Sequence, residues 1–183
     1  NYVFEEPDFP LAVKPAFSAP ETTDHAHETF TEIVIVSAGE AHYRCGKLSW
    51  RIVPGEVLVT LPGTKHIYTD CKALDYYNVL VDFNRLRIPL FDLAVTEGWQ
   101  RLFVRNPQLC NSGGKMTPRH ILGFDDLDAV VKLLDKLIQV QSRKDPGYRA
   151  MMFSHFYSLL TLLCGAGCPR DGKTEDRSPA III

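Results

Sequence analysis

The stretch HAHETFTEIVIVSAG, residues 25–39, carries the fold of this chain. His25 and His27 stand one residue apart, Glu32 follows five residues after His27, and an apolar run leads on to Gly39. In extended backbone alternate side chains share a face, so His25 and His27 can converge. Two imidazoles and a carboxylate suit a divalent metal such as Zn, Fe, Mn or Ni, and they equally suit hydrogen bonding to a small polar molecule. A second constellation lies downstream. Gly55 is followed eight residues later by Gly63, and three residues after that comes His66.

Working outward, residues 30–84 break into short runs rich in β-branched and aromatic residues. FTEIVIVSAG, AHYRC, LSWRIV, EVLVTL, HIYTD and LDYYNVLVDF are separated by GE, GK, PG and PGTK. Short strands at such spacing read as an antiparallel sandwich or barrel. CGKL, residues 45–48, reads as a tight hairpin. Upstream, residues 1–22 hold Pro7, Pro10, Pro15 and Pro20 with little periodicity. They read as an extended arm, because proline is excluded from central strands.

After residue 85 the period changes. FDLAVTEGWQRLFV suggests a short helix, and RNPQLCNSGGKMTPRH a polar loop. In DDLDAVVKLLDKLIQVQSR, residues 125–143, Leu127, Val130, Val131, Leu134, Leu137 and Ile138 fall at helical spacing behind an acidic first turn. KDPG breaks this helix. YRAMMFSHFYSLLTLLCG, residues 148–165, reads as a second helix, apolar on more of its circumference and ending near Gly165. The charged tail from residue 166 reads as a linker.

Composition excludes several function classes. The 183 residues carry a formal net charge of -2, which gives no positive field for direct nucleic-acid binding. No apolar run reaches membrane-spanning length and no signal peptide is visible, so a cytoplasmic location is expected. The five cysteines, Cys45, Cys71, Cys110, Cys164 and Cys168, are odd in number and show no CxxC spacing, which reads as reduced thiols. Cys164 and Cys168 stand one helical turn apart, weak evidence for metal taken alone. The start at Asn1 and the end at SPAIII lead us to expect a fragment.

The two spacings around His25 and His66 resemble the two motifs of the cupin superfamily. That resemblance implies a jelly-roll barrel in which His25, His27, Glu32 and His66 face inward near one point. It departs from the family pattern at Pro62, which directly precedes Gly63 instead of standing two residues before it, and at Asp70, where an asparagine is frequent. The longer pattern, from HAHETF through YYNVLVDF and the two helices, resembles the sensor domain of AraC-type transcription regulators over about residues 20–164. Glu56 stands where that pattern usually has aspartate.

The expected fold is therefore mainly β with C-terminal helices: a cupin-like jelly-roll barrel followed by two long α-helices. The expected division is an arm (1–22), a barrel (23–84), a helical dimerisation and packing region (85–165) and a linker (166–183). By the resemblance, the linker leads toward a helix-turn-helix domain of about 100 residues, an ordinary domain size. The resemblance also implies a small effector, commonly a sugar, bound in the barrel, a homodimer, contact with DNA only through the missing domain, and no membrane. Expected ligand-binding residues are Tyr43, Trp50, His66, Tyr68 and Asn78. Tyr68 matches a family aromatic position and Asn78 a polar contact position, while strand alternation points Tyr43 and Trp50 inward. Plain core packing is the competing reading for each aromatic. His25, His27, Glu32 and His66 are the expected metal ligands, for Zn, Ni, Fe or Mn. The rival function is a metal-dependent cupin enzyme, a dioxygenase or sugar isomerase.

Overall fold

The computed structural model describes residues 4–6, 8–113 and 119–166. Cys168 and nearly all of the expected linker lie outside the described residues. Two long strands organise the barrel. β2 (Thr31–Cys45) and β5 (His66–Val81) run antiparallel along most of their lengths. β1 (Leu11–Ala16) pairs with β5 on the outer edge, β3 (Leu48–Ile52) with the second half of β2, and β4 (Val57–Thr60) with the first half. The β2–β3 hairpin joins Cys45 to Leu48 across Gly46 and Lys47, as the sequence predicts.

The apolar run at 33–36 is continuous because both faces of β2 are covered. Ile33 and Ile35 join Val57, Val59, Val79 and Val81 against the helices. Val34 and Val36 point the other way, into the barrel with Tyr43, Leu58, Tyr68 and Leu74. The register of β2 against β5 shifts between Val36 and Ala38, again before Glu40, and again before His42. These bulges flip the alternation, so the even residues Glu32, Val34 and Val36 share the interior with the odd residues Ala41, Tyr43 and Cys45. Gly39 sits at this irregularity with φ +70, and a Cβ there would lie 2.0 Å from the Ala73 carbonyl oxygen. Gly39 therefore kinks a single long strand rather than ending one. The sequence breaks read at 39–40 and 71–73 are bulges, flanked or occupied by Asp70 and Ala73, which also take positive φ.

Residues 11–16, part of the expected arm, form the edge strand β1. Pro15 is tolerated there because an edge position leaves one side of the backbone without ladder bonds. The Gln141 side chain occupies part of that side, accepting from the Val13 amide (2.8 Å) and donating to the Val13 carbonyl (3.1 Å).

Beyond β5 come a short helix α1 (Phe83–Leu86), a 3₁₀ turn (Leu93–Val95), α2 (Glu97–Trp99), a π-helical turn (Gln100–Arg105) and α3 (Asn106–Ser112). The polar loop expected from residue 105 is thus helical as far as Ser112. Pro107 fits its first turn, and Cys110 gives it a buried anchor. Helices α4 (Phe124–Arg143) and α5 (Tyr148–Gly165) match the sequence reading closely. Val130, Leu134 and Leu137 of α4 and Met152, Phe156, Leu159, Leu160 and Leu163 of α5 are buried in the core shared with β1, β2 and β5. Each such side chain contributes about 1.5–3 kcal/mol of burial free energy.

Candidate functional site

His25 joins the barrel through its backbone. Its N–H donates to the His66 carbonyl (3.2 Å), and the His66 N–H donates back (2.9 Å). The Gly63 amide, in the Pro-Gly turn before β5, donates to the His27 carbonyl (2.7 Å). The second motif thus holds the first in place, and three imidazoles meet. Ring centroids are 4.2 Å apart for His25 and His66, 5.1 Å for His25 and His27, and 5.3 Å for His27 and His66. One ring nitrogen from each lies within 4.8 Å of those of the other two. Phe30, absent from the sequence-based set, stacks on His27 with centroids 4.4 Å apart.

Glu32 stands beside this triad rather than within it. Its Oε2 lies 2.8 Å from His66 Nε2, its Oε1 lies 3.6 Å from His27 Nε2, and Oε1 also accepts from the Asn78 amide. Burial alone would raise the Glu32 pKa. The flanking His27 and His66 side chains and the Asn78 amide outweigh it and hold the carboxyl well below the usual carboxylate range. His66 is fully buried, which pulls its pKa down, but the adjacent Glu32 carboxylate turns the net shift upward.

Nδ1 of His25 lies 2.8 Å from the Thr23 carbonyl, and Nδ1 of His66 lies 3.4 Å from that of Thr64. A proton on each Nδ1 directs the Nε2 lone pair elsewhere, which is the arrangement metal-ligating histidines adopt. The 2.8 Å approach of His66 Nε2 to Glu32 has ion-pair distance without hydrogen-bond alignment. His27 Nε2, His66 Nε2 and Glu32 Oε2 are all buried without a hydrogen-bond partner. Leaving such groups unpaired costs about 1–3 kcal/mol each. A divalent cation fits this donor set. The residues that would hold it are His25, His27 and His66, with the Glu32 carboxylate adjacent.

At this site the buried Tyr68 hydroxyl and Asn78 Oδ1 also lack hydrogen-bond partners. Tyr68 packs between Tyr43 (centroids 4.9 Å apart) and Tyr76 (5.5 Å, stacked). The Tyr43 ring is 6.2 Å from that of His66, and its hydroxyl pairs with Thr60 Oγ1 (2.8 Å). Trp50 lies half-buried, edge-on to Tyr43, and its Nε1 donates to Glu56 (2.8 Å) instead of toward the histidines. Arg119 closes that second group with a paired contact to the Glu56 carboxylate. No sequence signal links Arg119 to Glu56, since the two belong to separate segments.

A β-barrel with a histidine cluster inside and helices packed on one face defines a cupin-type binding domain. A family model for the AraC-like ligand-binding domain matches residues 16–160, and the chain belongs to that family. Among solved structures, it is similar to a double-stranded β-helix protein from Klebsiella pneumoniae (22% identity, 45% of this chain and 75% of that one, TM-score 0.38). It is also similar to a cupin 2 conserved barrel protein from Salinispora arenicola (21% identity, 46% and 76%, TM-score 0.38). A third is a predicted oxalate decarboxylase from Thermotoga maritima (23% identity, 39% and 64%, TM-score 0.34). The search of curated proteins returned no match. Among the described residues no helix is long and apolar enough to cross a membrane.

Proposed function

We propose that this chain is the effector-sensing and dimerisation part of an AraC-type transcription regulator. The effector is a small polar molecule, a sugar by first expectation, taken up in the barrel beside His66, Tyr68 and Asn78. His25, His27 and His66 hold a divalent cation next to it, with Glu32 as the neighbouring carboxylate. Bound there, the cation would act as a Lewis acid that gathers oxygen ligands. The chain's own residues orient the guest: Asn78 Oδ1 accepts from a hydroxyl, the Tyr68 hydroxyl donates or accepts, and the Tyr68–Tyr76 stack supplies an apolar wall.

One observation supports this reading above others: five buried polar atoms, on His27, Glu32, His66, Tyr68 and Asn78, make no hydrogen bond within the chain, the Glu32 contacts with His66 and His27 being unaligned ion pairs. A core that only needed packing would not leave them so. Calorimetric titration with a panel of sugars and polyols, with and without Zn, Ni, Fe or Mn, tests it. Saturable binding that is lost in Asn78→Leu is expected, and no binding under any metal condition would end the proposal.

The proposed division keeps a sensing barrel at 23–84, a helical region at 85–165 and a connecting segment at 166–183, with DNA contacted by a separate domain. The central stripe of α4 is used within the chain, so a homodimer seam would draw on the half-buried flank formed by Leu127, Val131 and Ile138. Light scattering on Val131→Asp against the parent chain tests that seam. The imidazole triad favours a second reading, a metal-dependent cupin enzyme; turnover of an oxidisable or isomerisable substrate by the metal-loaded chain would support it.

A further inference from the structure

Cys45 ends β2, and Cys110 lies in α3, which covers the same end of the barrel. The backbones around them are locked together. The Lys47 amide donates to the Cys110 carbonyl (2.8 Å). Gly46 approaches so closely that a Cβ would lie 2.1 Å from that carbonyl oxygen, and its φ of +57 suits glycine. The two side chains are 1% and 3% exposed and belong to one apolar cluster. Both are free thiols, and the two neighbouring side chains influence each other's ionisation. Both also line a small cavity of about 20 Å³ whose wall includes Trp50, Asn106 and the partly exposed Arg119.

We infer that Cys45 and Cys110 form a redox site that a peroxide closes to a disulfide, tying the β2–β3 hairpin to α3. The chemistry balances without another reactant. One sulfur attacks a peroxide oxygen, giving a sulfenic acid and one water, and the second sulfur displaces the sulfenic oxygen as another water. Two S–H bonds and one O–O bond break, while one S–S bond and two O–H bonds form. Both sulfurs are oxidised and both peroxide oxygens reduced. The bond would make the contact between barrel and helical region covalent. That contact lies directly after the π-helical turn, an irregularity that frequently marks functional positions. The site adjoins the histidine cluster, since Cys45 is the register partner of His66 across β2 and β5, but neither cysteine belongs to that cluster. The other described thiols sit elsewhere: Cys71 half-buried on β5, and Cys164 within the helical core.

The test uses the unmodified chain, so no variant need fold. The reduced protein is treated with hydrogen peroxide, quenched with N-ethylmaleimide in denaturant, and digested without reductant for mass spectrometry. The expected result is a peptide carrying Cys45 joined to one carrying Cys110, with loss of two alkylatable thiols, both reversed by dithiothreitol. In Cys110→Ser the Cys45 peptide should instead carry sulfenic or sulfinic oxygen. Retention of both thiols after peroxide would overturn the inference, and so would linkage of either cysteine to Cys71 or to another chain.

Discussion

The Glu32 carboxylate and the fully buried His66 imidazole, carried on different strands, approach to 2.8 Å at the polar end of the barrel. Removing the imidazole leaves a buried carboxylate with only His27 and the Asn78 amide beside it. His66→Ala is therefore expected to abolish stoichiometric metal uptake, as measured by elemental analysis after dialysis against Zn or Ni. Retained stoichiometric metal in that variant would show that the triad is not the metal centre.

Asn78 donates to Glu32 through Nδ2 and leaves Oδ1 unpartnered. Asn78→Asp keeps the shape but places a second carboxylate beside Glu32. We expect effector affinity to fall at least 10-fold by calorimetry, while Tyr68→Phe loses one hydrogen bond and costs about 1 kcal/mol of binding. Equal affinity in both variants would remove these residues from the effector site.

Gly39 holds φ +70 against the Ala73 carbonyl. Gly39→Ala adds backbone strain and a steric clash that no flexible side chain can relieve. A loss of about 3 kcal/mol or more is expected in urea unfolding. A change below about 0.5 kcal/mol would mean that the kink in β2 is placed wrongly.

Arg119 neutralises Glu56, a carboxylate 1% exposed that also accepts from Trp50. Arg119→Ala strands that charge, and removing one partner of a buried ion pair costs about 3–5 kcal/mol. Arg119 is itself partly exposed, so the lower end is expected. Glu56→Gln combined with Arg119→Ala should recover part of the loss.

His120, on the segment that pairs with Gly55 and Val57, is buried, and burial together with the Arg101 charge pushes its pKa down from 6.5 to about 4. The unfolded chain binds a proton near 6.5 and the native one only near 4, so stability is full above 6.5 and falls as pH drops through that window. The loss is on the order of 3 kcal/mol. His120→Gln should flatten the fall measured by denaturant melts between pH 7 and 4.

Much of this was legible in the residue pattern. The β-branched runs of residues 30–84 mark the strands because alternation is a local property, whereas His25 and His27 precede β2 and converge through backbone bonds to His66 and Gly63 rather than through strand alternation. Leu127 through Ile138 mark α4 because helical periodicity is local too. The edge strand at Leu11–Ala16 escaped notice because Pro15 matches an arm as well as a sheet edge, and only its pairing with β5 separates the two. Helix α3 escaped because a short polar run has no period of its own until Cys110 finds a pocket.

What the sequence by itself determined is the set of chemical groups and the elements that bear them: three histidines, a carboxylate, short apolar strands and two long helices, the first amphipathic and the second apolar on most sides. Tertiary structure alone decided which of those groups meet. Three register shifts in β2 turn Tyr43 and Cys45 to the same interior as Glu32, the loop carrying Arg119 folds back on Glu56, and α3 brings Cys110 to Cys45. Each of these depends on contacts between segments far apart in the chain, and no local periodicity encodes such contacts.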